Sequence, residues 1–535
     1  MNRPTRHTLW IAAALFASVA LSATRATAPV AAMDRIFEIN ITNDLDVSSG
    51  EPQIAIDPTD PRNLAIIETA YGSKQVPAWS MNPVLDKKTP EQRHTASMHN
   101  GRLQLSTDGG STWKVREAPA FDPSILPHKG GGDAMIAIGP DGTIYAADCT
   151  GGQPKDQKAP MVLESMSLHD VNMFIAASTD GGKTFTSPQP IGTPRDRPWL
   201  KVDQTTGTVY TASTGPYNPK TLDYNVPGPD APFDRWLTAW KPHLSGHSEA
   251  RRMGGVDFSA DRGSTMTAVH GVLAAAFFID GPQSRNRASV VVPIPSAMRV
   301  AVPVPASLQP LVKDGTTQCG PEDPCLFFQT SNDEGLTWKR HHVPVPGGMA
   351  GYWSNVAADP GRPGRYAVSV TNRSGTGMIV LVTDNSGETW SAPNGIPESV
   401  QGKVFKPWMD YGPTGVLGVM WKKERADLST PAPGAQRIGQ TWGAAFDVYA
   451  AISCDGGAHW LPPARVNAES SPSGPNGFDD LSYIALDARY AHLVWGDRRN
   501  ITRVKNAPTG IGGVQTYYGR VPFSVVAQGA PCGRN

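Results

Sequence analysis

The chain has 535 residues, 48 Lys+Arg against 48 Asp+Glu, and therefore no formal net charge. That balance excludes partners recruited by bulk electrostatics, so neither nucleic acid nor an anionic membrane surface is expected. The 54 glycines and 49 prolines are what a fold of numerous short strands and turns requires.

Residues 1–32 read as a secretory signal. Arg3, Arg6 and His7 form a basic start, Leu9 to Leu21 is an apolar run too short to span a bilayer, and small-residue cleavage sites follow at Leu21-Ser22-Ala23, Ala26-Thr27-Ala28 and Val30-Ala31-Ala32. No later segment is long and apolar enough to cross a membrane. The mature domain, 33–530, is expected to be exported to a periplasm or beyond and to act as a monomer.

Two interleaved repeats organise that domain. The first is a short strand-like segment: Glu51 to Asp57, Asp133 to Gly139, Arg197 to Asp203, Ser264 to His270, Trp353 to Asp359, Lys406 to Gly412 and Leu481 to Asp487. Runs such as Ile54-Ala55-Ile56 and Ile136-Ala137-Ile138 are apolar at consecutive positions, which a strand tolerates only when both faces are covered. Most of these segments continue through a Gly-, Pro- or Asp-rich turn into a second strand, such as Thr143 to Ala147 or Tyr490 to Trp495.

The second repeat spans eight residues and follows strand formers each time. It reads Ser106-Thr-Asp-Gly-Gly-Ser-Thr-Trp113, then Ser178 to Phe185, Ser331 to Trp338 and Ser453 to Trp460, with a weaker copy at Thr383 to Trp390 where Asn385 stands in for the aspartate. Its Asp or Asn is suited to bind turn amides, its glycine to a positive φ, and its closing ring to burial between sheets. Ser259 to Met266 matches only its first half and overlaps the fourth inner segment. Gly513 to Pro522 reads as a last strand that completes the architecture.

This box resembles the Asp box of bacterial sialidases and related neuraminidase-like β-propellers. The resemblance implies an all-β, seven-bladed β-propeller of four-stranded antiparallel blades, one blade per inner segment. Three insertions, Trp79 to Ser97, Gly215 to Gly263 and Gly281 to Gly320, are the long loops where binding residues tend to gather.

Chemistry is expected at the mouth, where the N-terminal ends of the inner strands converge. That position brings Asp133 and Glu51 forward as a catalytic carboxylate pair for acid–base work on a sugar. Arg195, Arg197 and Lys406 are the candidate grip on a substrate anion, and Trp199 and Trp408 are stacking platforms or, equally, matched packing between blades. Sialidases carry an Arg-Ile-Pro motif ahead of the first box; here the nearest matches are Arg35-Ile36-Phe37 and Pro61-Arg62-Asn63. Tyr517 or Tyr518 falls where the family's nucleophilic tyrosine lies, but the closing strand also accounts for both.

Three readings follow: a glycoside hydrolase acting on a terminal sugar, acidic or neutral; a non-catalytic propeller that binds a glycan or protein; and a polysaccharide lyase, with His247 or His270 as base. No metal or organic cofactor is implied, and no Cys or His cluster has zinc spacing. Cys319 and Cys325 flank a turn-prone Gly-Pro-Glu-Asp-Pro and are expected to close as a local disulfide. Cys149, Cys454 and Cys532 are left unassigned.

Overall fold

In the computed structural model the described residues are 35–72, 100–116, 129–130, 134–151, 172–186, 189–192, 199–213, 236–241, 246–247, 251–252, 265–279, 325–333, 339–349, 355–397, 402–429, 443–474, 481–504 and 513–533. Their regular secondary structure is nearly all strand; the one α-helical stretch among them is the single turn Phe523–Val526. They form seven antiparallel sheets, five of four strands and two carrying an additional short strand.

The inner strands are Val47–Ile56, Met135–Ile138, Trp199–Val202, Thr265–Val269, Asn355–Ala358, Val404–Tyr411 and Ser482–Leu486. Each overlaps one of the seven segments picked out above, those of the first and sixth sheets starting earlier, at Val47 and Val404. Each lies against the inner strand of the sheet before it and the sheet after it, and that of the seventh sheet lies against that of the first. The inner strands therefore form a closed circuit. Their covered faces explain the continuous apolar runs: Ile136, Ile138, Val356 and Ile484 are all buried.

Within a sheet the chain steps outward by hairpins, and the eight-residue repeat joins the third strand to the fourth. In the first sheet Ser106 ends the third strand, Asn100–Ser106, and Lys114 opens the fourth, Lys114–Arg116. Asp108 accepts hydrogen bonds from the Thr112 amide at 2.9 Å and the Thr112 hydroxyl at 2.6 Å, while Ser106 Oγ accepts from the Gly110 amide at 2.9 Å. Asp180 and Asp455 repeat this arrangement, and Asn385 reproduces it with its amide group donating to Thr389.

The box glycine then seats the turn on the preceding sheet. A Cβ on Gly182 would meet Leu105, on Gly387 Phe328, on Gly457 Val382 and on Gly110 Tyr518. Each contacted residue belongs to the third strand of the sheet before, and the step from seventh sheet to first is made like the others.

Two features of closure were not read from the chain. The predicted last strand is Gln515–Pro522, but it is the third of its sheet; the fourth is the N-terminal Phe37–Asn40, paired with it from Phe37 opposite Arg520 to Asn40 opposite Tyr517. Cys454, inside the box of the sixth sheet, forms a disulfide with Cys532, 78 residues on, and so returns the C-terminal tail to that sheet. Cys319 lies outside the described residues. The half-matching box of the third sheet is not used as one at its described end, since Thr265 and Met266 begin the fourth inner strand.

Candidate functional site

The mouth is the rim formed by the N-terminal ends of the inner strands. Of its predicted residues, Asp133, Arg195 and Arg197 lie outside the described residues, as do the loops 73–99 and 280–324. Trp199 opens the inner strand of the third sheet, where its backbone pairs with Ala212. Glu51, Lys406 and Trp408 are fully described, in the first and sixth sheets; both of those inner strands flank that of the seventh.

Glu51 and Lys406 share an unusual backbone. Their φ angles are 48° and 51°, in the left-handed region that side-chain-bearing residues avoid. Each precedes a proline, Pro52 or Pro407, which further disfavours a helical backbone at that residue. Each also sits where the ladder slips: the register shifts between Gly50 and Gln53 in one sheet and between Phe405 and Trp408 in the other. A bulge of this kind re-aims one side chain, and such strain persists only when the surroundings hold it.

The surroundings do so from both sides. Opposite the first bulge lies Glu68, fully buried, accepting hydrogen bonds from Thr42 Oγ1 (3.1 Å), Ser49 Oγ (2.9 Å) and Gln104 Nε2 (2.7 Å) and pairing with Arg102 at 3.4 Å. Opposite the second lies Trp421, stacked on Tyr449 with centroids 6.0 Å apart. Neighbouring sheets add backbone ties. Gln53 accepts from the Ile136 amide at 2.7 Å, and Asn355 donates to the Pro407 carbonyl at 3.1 Å.

Charge is concentrated at this end. Besides Glu51 and Lys406, both under one tenth exposed, Lys422 and Arg498 are buried near Phe446, whose ring centroid is 4.6 Å from Lys422 Nζ and 5.9 Å from the Arg498 guanidinium. Lys422 donates to the Gly496 carbonyl at 3.3 Å and Arg498 to that of Ala444 at 3.1 Å. A buried carboxylate and a buried ammonium thus sit at matched bulges of two inner strands, with two further buried cations near the second. That set has the means for proton transfer and for holding an anion.

Trp408 is 5% exposed, and its ring lies 4.1 Å from that of Tyr483 in the seventh sheet. It packs between sheets beneath Lys406. Tyr518 is buried in the seam between the seventh and first sheets, where its hydroxyl meets His492 Nδ1 at 2.7 Å, and His492 Nε2 meets Asp487 at 3.1 Å. Burial pushes the Tyr518 phenol well above its ordinary range. Tyr517 lies against Trp495 and under the Arg499 guanidinium. Both tyrosines are occupied by packing. Glu68, Lys422 and Arg498 were missed by sequence reasoning because charges on or just past a second strand carry no local signal of burial.

No family model matches the chain, and no curated protein does. It is similar in structure to a Hadza microbial sialidase at 13% identity and a TM-score of 0.38, over 90% of this chain and 66% of that one. A protein of unknown function from Dyadobacter fermentans matches at 14% identity and 0.38, over 90% and 98% of the two chains. A leech intramolecular trans-sialidase matches at 10% identity and 0.40, over 88% and 84%.

Proposed function

We propose that the chain is an exported glycoside hydrolase of sialidase-like type, its seven sheets the blades of a seven-bladed β-propeller, acting at the mouth on a terminal, acidic sugar of a glycoconjugate. The observation that carries this reading is the shared strained geometry of Glu51 and Lys406. Two charged residues held in the left-handed region before prolines, at equivalent points of two sheets, stay there against a cost of about 1–3 kcal/mol each. Function at the rim is the return for that cost.

In this reading Glu51 and Asp133 divide the acid and base roles across the glycosidic bond. Lys406 holds the substrate carboxylate together with Arg195 and Arg197. Arg197-Pro198-Trp199 repeats the order of Lys406-Pro407-Trp408, which supports giving Arg197 a role like that of Lys406. Export is supported by the Cys454–Cys532 disulfide, which belongs to an oxidising compartment.

The test is fluorophore release from aryl glycosides, including a sialoside and a uronide, by the mature protein and its Glu51→Gln, Asp133→Ala and Arg197→Ala variants. Release is expected, with a loss of about 10²–10⁴ in rate for each carboxylate variant at unchanged thermal midpoint. Absence of release from every glycoside would overturn the hydrolase reading in favour of a binding propeller, with uronate polymers tested next for lyase cleavage.

A further inference from the structure

The seam between the seventh and first sheets, where the circuit closes, is built around a buried charge. Between the fifth and sixth sheets Val380, Val382, Leu417 and Val419 belong to one apolar cluster. The closing seam instead holds Glu68, Arg102, Gln104, Thr42, Ser49 and Thr516, every one of them buried.

Thr42 is the point at which three stretches of chain meet. It lies just past the N-terminal strand Phe37–Asn40 and is 2% exposed. Its hydroxyl donates to Glu68 Oε2 at 3.1 Å and accepts from the Thr516 amide at 2.8 Å. Its amide donates to the Thr516 carbonyl at 3.4 Å, and its carbonyl accepts from Arg102 at 3.2 Å. All of its polar groups are thus engaged by the last strand and the first sheet.

The segment that leads into Glu51 is held by the same partners. The Ser49 amide donates to the Val514 carbonyl at 2.7 Å, and Ser48 Oγ donates to the same oxygen at 3.1 Å. Ser49 Oγ lies 3.2 Å from Thr516 Oγ1 and donates to Glu68 Oε2 at 2.9 Å. Gln515 Nε2 donates to the carbonyls of Asp44 at 2.7 Å and Val47 at 3.3 Å. Residues 514–516 therefore form a bed for residues 42–49, and two residues beyond Ser49 the slipped ladder carries Glu51. One carboxylate, Glu68, receives a hydroxyl from the N-terminal segment and another from the strand of Glu51, and it lies opposite the slip.

We infer that Thr42 and Glu68 are positioning residues for Glu51, so that docking of the N-terminal segment closes the ring and sets this part of the mouth in one step. A hydrogen bond to a buried charge is among the stronger polar contacts, and loss of the donor leaves the acceptor short of a partner. Within a connected network that loss is felt by every member. The coupling is independent of what the mouth binds.

The test is hydrogen exchange read by mass spectrometry on the full mature chain. It compares the parent protein with Thr42→Val, which keeps the shape and the backbone bonds, and Thr42→Ser, which keeps the hydroxyl. Thr42→Val is expected to raise exchange about tenfold, the scale of one such bond, in 37–42, 47–56 and 513–522 together, with 378–383 and 417–424 unchanged. Thr42→Ser is expected to restore protection. A rise confined to 37–42, an equal rise throughout the chain, or no rescue by serine would overturn the coupling. Glu68→Gln gives a second readout in urea titrations, where Thr42→Val is expected to lower the midpoint less on the Glu68→Gln background than on the parent; additive losses would overturn the shared role. If Glu68→Gln does not fold, Ser49→Ala takes its place in the cycle with the same two outcomes.

Discussion

The two ends of each inner strand are built on opposite plans. At the end nearer the boxes, the same few residues do the same work in sheet after sheet: Asp57, Asp203, Asp359 and Asp487 accept amides of the turn that follows them, and Asp108, Asp180, Asn385 and Asp455 do so in the boxes. The positive φ angles of the boxes are carried mostly by glycine. At the mouth the described equivalents differ from one another, Glu51 against Lys406 against Leu481, and the left-handed positions are held by charged residues. Repetition marks the end that holds the sheets together, and variation with backbone strain marks the other.

The largest effect expected from breaking this contrast lies in the boxes. Gly387 has a φ of 95°, and a Cβ there would come to 2.6 Å from Phe328, a ring held between Tyr366 and Trp390. Gly387→Ala is expected to cost about 3 kcal/mol, backbone strain and overpacking together. Gly181 has a φ of 73° but open space around it, so Gly181→Ala carries strain alone, about 1 kcal/mol. Equal losses in urea titrations of the two variants would mean that the boxes do not seat on the preceding sheets as described.

Next comes the Asp487–His492 contact at the seam. Burial alone would raise the Asp487 carboxyl, but the His492 hydrogen bond and charge and the Arg489 and Tyr490 amides outweigh it and hold it below the usual range. A depressed folded value contributes stability that is full above the unfolded value, about 4, and is lost as pH falls through the folded one. Asp487→Asn is therefore expected to be less stable by about 1–2 kcal/mol at neutral pH, with the gap to the parent protein narrowing below about pH 4. A gap that does not narrow on acidification would remove the charged carboxylate from the account.

The smallest effect separates strain from contact at the mouth. Lys406→Gly relieves the left-handed backbone and Lys406→Ala does not, so the glycine variant is expected to be the more stable by about 1 kcal/mol. Both are expected to weaken anion binding alike, read as inhibition by a simple carboxylate sugar. If alanine proves the more stable, φ at Lys406 is not under strain and the contrast between the two ends loses its main support.

Much of the architecture was legible in the chain because its determinants are local. The Ser106-to-Trp113 turn satisfies its hydrogen bonds within eight residues, and an inner strand such as Met135–Ile138 announces its covered faces by its own composition, so both repeat visibly. The position of Glu51 and Lys406 on the rim follows from the same repeat. Their left-handed backbones do not, since these are held by Glu68, Trp421, Gln53 and Asn355, residues with no mark of that duty in the sequence.

What the tertiary structure alone decided involves partners far apart in the chain. Phe37–Asn40 becomes the outer strand of the last sheet because the circuit brings residue 37 beside residue 520. Cys454 takes Cys532 because the tail folds back over the sixth sheet, a return that neither cysteine's neighbours encode. A closed ring brings residues far apart in the chain into contact, and no local pattern states which of them will meet.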